Sequence, residues 1–244
     1  MTMTYMHINY FEAGYCLEDA FRLAKEIGYD GIELRDRDRS GELALKDYLQ
    51  LTDKLRKQFQ LSVIYGCRLD TTHRDAVVRN QSLDDCLEVI RFAGEMGVET
   101  LNLFAGSLIG EQPMLFSQQG SALADESVYQ QAAPMLKQVA AVAREYGMTL
   151  CLETHNGYMH DLAKPAAELV DRLGDPNLKV NFDFGNILLN RNGETLDDAI
   201  QILGGRIGYV HSVIRREPEA IDVGRKSHRI HVGQRGMAQR RSIH

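Results

Sequence analysis

Glu26-Ile-Gly-Tyr-Asp-Gly-Ile-Glu-Leu34 returns twice in altered letters, as Glu95-Met-Gly-Val-Glu-Thr-Leu-Asn-Leu103 and Glu145-Tyr-Gly-Met-Thr-Leu-Cys-Leu-Glu153. Each passage reads as a helix end, a glycine and a short strand. Gly28, Gly97 and Gly147 stand where a helix commonly ends in the left-handed conformation that glycine adopts without strain. A junction that recurs in this way predicts one architecture throughout. Strands and helices alternate, so the strands run parallel and the helices cross back over them.

Working outward, helical spacing appears at Leu17, Ala20, Phe21, Ala24 and Ile27, and again at Leu83, Leu87, Ile90 and Ala93. The pattern predicts strands near 5–10, 30–34, 60–65, 99–104, 148–153, 178–183 and 207–211. It predicts helices near 17–28, 43–59, 82–97, 125–147, 163–174 and 194–205. Two long connections, at about 66–81 and 105–124, are expected over the strands' carboxyl ends as lids or as surface insertions. The expected fold is α/β, a (β/α)8 TIM barrel whose eighth βα unit is missing or degenerate, since only seven strands can be drawn and closure needs eight. The barrel domain is assigned to residues 1–211.

Residues 212–244 read as an atypical basic tail, degenerate or disordered. They hold no leucine and no aromatic residue, and their one strand-like piece is Arg229-Ile-His-Val232. The abrupt Arg/His-rich composition suggests a shifted reading frame from about Ser212.

Composition narrows the function classes. The chain has 244 residues, 44% hydrophobic and 25% charged, and a net charge of −6, ordinary for a globular protein. The tail carries 8 Lys/Arg against 3 Asp/Glu, so the acidic balance belongs to the body. An acidic body does not attract a nucleic-acid backbone, and no run is apolar enough for a membrane helix. The start lacks a secretory pattern, and the four cysteines lack metal-knot spacing. These features predict a cytoplasmic protein with reduced thiols. They leave open whether copies associate as a homo-oligomer.

Three strings place metal-competent side chains at the ends of apolar runs. These are Leu152-Glu-Thr-His-Asn-Gly157, Asn181-Phe-Asp-Phe-Gly-Asn186 and Tyr209-Val-His211. Glu153 precedes Asp183 by 30 residues, and Asp183 precedes His211 by 28. Each step is about one strand-plus-helix unit, so the three converge at one end of the barrel. Two carboxylates and an imidazole suit one divalent ion, Mn²⁺, Co²⁺, Mg²⁺ or Zn²⁺, without selecting among them. Singly, each reads more readily as a hydrogen-bonded structural residue, and the metal reading rests on the three together.

His155, Asn156 and Asn186 follow the candidate ligands by two or three positions and are candidate substrate contacts; Asn156-Gly157 also reads as a turn. His7 and Asn9 share one strand face, and Glu33 and Arg35 another. His7, Glu33 and Arg35 are candidate substrate contacts if those faces point inward. Otherwise Glu33 and Arg35 form a surface pair. Arg215 and Arg216 could hold an anionic group or simply open the tail.

On these strings the chain resembles the xylose-isomerase-like TIM-barrel family of sugar and sugar-phosphate isomerases and epimerases, which also holds dehydratases and a DNA-repair endonuclease. The resemblance spans roughly residues 5–211. It implies that Glu153, Asp183 and His211 are metal ligands and that Glu153 is one of two acid–base carboxylates. It implies a small-molecule sugar or sugar phosphate as partner. Two departures stand out. Ser212-Val-Ile214 replaces the Lys-Asp-like pair that often follows the histidine, and no residue matches the family's eighth-strand Glu, its fourth ligand and second acid–base group. Losing such a group lowers a rate by about 10²–10⁴, so an impaired enzyme is one reading. A dehydratase or lyase acting on a cyclic polyol, and a non-catalytic sugar- or partner-binding barrel, are the others.

Overall fold

The computed structural model describes residues 3–7, 16–110, 115–190 and 194–211. Seven parallel strands lie in one sheet in chain order: β1 (Tyr5–Met6), β2 (Gly31–Arg35), β3 (Ser62–Leu69), β4 (Thr100–Ala105), β5 (Thr149–Glu153), β6 (Leu178–Asp183) and β7 (Ile207–His211). Seven helices accompany them: α1 (Leu17–Ile27), α2 (Leu45–Phe59), α3 (Ala76–Glu95), α4 (Glu126–Glu145), α5 (Ala163–Leu173), α6 (Phe184–Leu189) and α7 (Leu196–Leu203). This is the TIM-barrel arrangement with seven of eight strands among the described residues. The Arg/His-rich tail, Asn9, Arg215 and Arg216 lie outside them.

The repeated junction folds as its letters predict. Gly28, Gly97 and Gly147 take φ of 94°, 75° and 67°. Each lets the chain leave a helix and enter the next strand at once. The main core lies between sheet and helices, with Leu101, Leu103, Leu136, Val139, Leu152 and Val180 all buried. Inside the curl, Ile64, Cys151 and Tyr209 form a separate small apolar cluster with Tyr5 against it. Cys151 is therefore packing, as its apolar surroundings predict. All four cysteines are free thiols, and only Cys16 is exposed.

The sheet curls far enough for side chains to meet across the seam between β7 and β1. Tyr5 and Tyr209 pack edge to face with ring centroids 6.3 Å apart. Backbone pairing does not cross that seam among the described residues.

Three features differ from the sequence reading. The connection expected at 66–81 is only residues 70–75. β3 continues through Gly66 because Gly66, Cys67, Arg68 and Leu69 all pair with β4. α3 starts at Ala76, where the Asp75 side chain accepts the Val77 N–H at 2.8 Å. An apolar stripe does not reveal that start, since Val77 faces solvent. The second long connection carries two 3-10 turns, Phe116–Gln118 and Gly120–Leu123, and is tied down where Leu108 N–H donates to the Gly157 carbonyl at 2.7 Å. Finally, α6 was not expected. It is one and a half turns long and begins on the candidate ligand Asp183 itself.

Close strand contact supplies a test. At Gly31 a Cβ would overlap the Tyr5 ring and approach the Ser62 carbonyl oxygen to 2.7 Å. Gly31→Ala is expected to cost about 1–3 kcal/mol by overpacking. The check is a lowered urea midpoint with an unchanged m-value.

Candidate metal centre

Strand alternation decides which side chains enter the barrel. On β5 and β7 the inward residues Cys151 and Tyr209 are followed two positions on by Glu153 and His211. On β6 Asn181 is followed by Asp183. The three expected ligands therefore arrive at the carboxyl end together. One donor atom from each of Glu153, Asp183 and His211 lies within 4.8 Å of the other two, and all three residues are buried. His211 Nδ1 stands 3.3 Å from Glu153 Oε2 and 3.5 Å from Asp183 Oδ2. Donors about 2.0–2.2 Å from one ion lie within about 4.4 Å of one another, so a slight contraction fits this set to a divalent cation.

Each carboxylate is aimed by neighbours. Glu153 Oε2 accepts from Asn102 Nδ2 at 2.6 Å, and Oε1 accepts from Asn186 Nδ2 at 3.2 Å. Asp183 caps α6: its Oδ1 accepts the Asn186 N–H at 2.8 Å, and its own N–H donates to Thr154 Oγ1 at 2.9 Å. A second group of three, His7, Glu33 and His211, shares the imidazole. Glu33 Oε2 lies 2.7 Å from His211 Nε2 and accepts the Tyr209 hydroxyl at 2.9 Å; its Oε1 accepts from Asn102 at 3.0 Å.

The electrostatics follow from this crowding. Burial works to raise the Glu153 pKa, but His211 outweighs it, with help from His155 and Asn102, and holds the carboxyl far below its usual range. Glu33 is also lowered, burial again being overridden by His211 and His7. His211 shows the converse: burial disfavours its charge, yet Glu33 and Glu153 push its pKa well above 6.5. His7 is pushed down to about 4, chiefly by burial.

The other candidates are placed as follows. Asn186 touches Glu153 directly. Asn156 is buried and its Nδ2 reaches the Asn186 carbonyl at 3.4 Å. His155 is half-buried and packs with Phe104 and Tyr158, centroids 5.4 and 5.3 Å away. Arg35 is half-buried and shares the inward face of Glu33. His7 is buried with its ring 5.0 Å from that of His211. Glu33 lies inside the barrel rather than in a surface pair, with its oxygens directed at Asn102, Tyr209 and His211.

Sequence reasoning missed four residues here. Asn102 and Asn181 are buried asparagines inside apolar strands, and their place on the inward period-2 register was the available signal. His160 and Asp161 carry none. His160 is fully buried; its Nδ1 donates to the Glu153 carbonyl at 2.6 Å and its Nε2 accepts the Ala105 N–H at 3.0 Å. It thereby bridges the ends of β5 and β4. Asp161 accepts from Ser121 N–H at 3.3 Å and Asn190 Nδ2 at 3.4 Å, and Gly120 lacks the Cβ that would collide with it.

With this geometry in view, the family comparison is decisive: the model for the xylose isomerase-like TIM barrel matches residues 21–231. The chain is a member of that family. A curated relative, 3-dehydroshikimate dehydratase of Bacillus anthracis, is 23% identical over 204 residues, covering 79% of this chain and 64% of the relative. The chain thus spans under two thirds of that relative's length. Solved structures share the fold. The probable 3-DHS dehydratase AsbF of Bacillus anthracis superposes with a TM-score of 0.67 at 23% identity, over 86% of this chain and 72% of its own. D-allulose 3-epimerase of Methylomonas sp. gives 0.68 at 18%, over 87% and 72%. The IOLI protein, described with a bound zinc atom, gives 0.67 at 19%, over 87% and 73%.

His160 and Asp161 make opposed pH predictions. Burial lowers His160 from 6.5 to about 4. Between those values the unfolded chain binds the proton better, so this stability is complete above about 6.5 and is lost as pH falls towards 4. Burial raises Asp161 from 3.8 to about 6. Its sign is reversed: stability is complete below 3.8 and is lost as pH rises to about 6. Urea unfolding from pH 7 to pH 4 should show the deficit of His160→Gln relative to wild type shrinking, by at most about 3 kcal/mol. The deficit of Asp161→Asn should grow over the same range.

Proposed function

We propose that the chain is a divalent-metal-dependent sugar or sugar-phosphate isomerase/epimerase, with Glu153, Asp183 and His211 as ligands. It would move a proton beside a substrate carbonyl through an enediolate. The observation that supports this most is Glu153: a buried, ionised carboxylate at a strand's carboxyl end, beside two further metal-competent donors, in a barrel of this family. When bound, the ion supplies Lewis acidity toward a carbonyl and its neighbouring hydroxyl.

The chain's own groups do the rest. Glu153 Oε2 faces His211, whereas Oε1 is turned to Asn186. One oxygen can thus face the cation while the other takes the substrate proton. The low proton affinity of Glu153 keeps it ionised at neutral pH, the state a base requires. Asn186 holds Oε1 by a single amide hydrogen bond and marks where a substrate hydroxyl would enter. His155 and Asn156, on the loop after β5, and Arg35, on the inward face of β2, are assigned to substrate contact on the same reading.

A second reading, a dehydratase, is favoured by the curated relative and by AsbF. Elimination of water begins with the same proton removal, so the ligand set serves both. Two measurements decide. In D₂O with Mn²⁺ or Co²⁺ and a ketose or ketose-phosphate panel, an isomerase/epimerase introduces deuterium beside the carbonyl with no new ultraviolet absorption. A dehydratase generates an absorbing unsaturated carbonyl product. A chelator should abolish turnover and added Mn²⁺ or Co²⁺ restore it. Glu153→Gln should lower kcat by about 10²–10⁴. A chain that binds no divalent ion would overturn the reading.

A further inference from the structure

Resting on that reading, we infer that Glu33 is the positioning residue for His211: it holds the imidazole by Nε2–H and so presents Nδ1 to the cation. Glu33 comes from β2, on the far side of the seam from β7, and the contact crosses the barrel interior. His211 Nε2 lies 2.7 Å from Glu33 Oε2, while Nδ1 faces Glu153 and Asp183 at 3.3 and 3.5 Å. The two ring nitrogens thus look at different carboxylates. Only the Nδ1 side is shared by the pair that belongs to the ligand set.

Glu33 is itself built in place. The Tyr209 hydroxyl, two residues before His211 on the same strand face, donates to Oε2 at 2.9 Å, and Asn102 Nδ2 donates to Oε1 at 3.0 Å. The same Asn102 nitrogen reaches Glu153 Oε2 at 2.6 Å. One amide therefore ties the carboxylate behind the imidazole to a carboxylate beside the cation. A carboxylate on the remote N–H of a ligating histidine fixes the ring, sets the tautomer and makes the other nitrogen a better donor. Its loss typically weakens metal affinity by about 10–100-fold.

Glu33 also stands in a group with His7 and His211 that could take a second ion, and the test separates the two roles. Full-length chain is titrated with Mn²⁺ by calorimetry, and the Co²⁺-loaded form is followed by visible absorption. The expected result is one ion per chain in wild type. Glu33→Gln retains an acceptor oxygen but not the charge, and should bind Mn²⁺ about 10-fold more weakly with an altered Co²⁺ spectrum and unchanged circular dichroism. Tyr209→Phe, which leaves both Glu33 and His211 intact, should weaken binding less.

A measurement on wild type needs no variant to fold. In ¹⁵N-histidine-labelled, Zn²⁺-loaded protein, His211 should carry its proton on Nε2 and the metal on Nδ1. Metal on Nε2, two ions per chain, or unchanged affinity in Glu33→Gln each overturn the inference while the proposed enzyme stands. Absence of any bound ion in wild type sinks both.

Discussion

Three buried carboxylates meeting one imidazole is the constraint on which this barrel depends. Glu33, Glu153 and Asp183 all approach His211, in a space that water does not readily reach. Buried charge of one sign is unfavourable unless an opposite charge and hydrogen-bond donors accompany it. His211 is that opposite charge, drawn by Glu33 and Glu153, which is why its pKa rises despite burial. Acidic groups from three strands around one imidazole form a set that could hold a metal ion.

The asparagines are the complement of that charge. Asn102, Asn181 and Asn186 each direct an amide Nδ2 at Glu153. A neutral donor aims a carboxylate without satisfying its charge, whereas a lysine or arginine in the same place would neutralise the site. The inward positions of most barrels of this type are filled by branched apolar residues. Here that filling is restricted to the small cluster of Ile64, Cys151 and Tyr209 with Tyr5. Further toward the carboxyl ends the interior turns polar. The stability of the fold therefore rests on the apolar layer between sheet and helices, and the interior is left to chemistry.

Much of the architecture was legible because its signals are local. A glycine after a helix needs positive φ, and Gly28, Gly97 and Gly147 announce three junctions by themselves. Glu153, Asp183 and His211 each end an apolar run, and one-unit spacing brings them to one rim. Other roles were not legible because they depend on which strands face one another after the sheet curls. Glu33 reads equally as a substrate contact or a surface carboxylate until β2 and β7 are seen to meet. His160 lies in a loop with no periodicity, and only the divergence of β4 and β5 gives its two ring nitrogens their partners. α3 begins seven residues before Leu83, where its apolar stripe starts, because a cap at Asp75 is enough to start a helix whose first residues, Ala76, Val77 and Val78, are exposed.

The choice between isomerisation and dehydration is not written in the ligand set. Both start when a carboxylate removes a proton beside a polarised carbonyl, and on the proposed reading Glu153 is that carboxylate. What differs is the fate of the electron pair. It returns to a proton in an isomerase, and it expels a hydroxyl in a dehydratase. On that reading the deciding groups stand around the rest of the substrate, beyond the ligands. Beyond the ligands the rings of Phe104, His155 and Tyr158 form a mutual cluster, and the Arg68 charge acts on Tyr158. Phe104 and Arg68 continue the inward faces of β4 and β3. If the proposed reading holds, a scaffold that fixes proton removal low in the cup and leaves product choice to this wall could change reaction without disturbing the charge cluster beneath it.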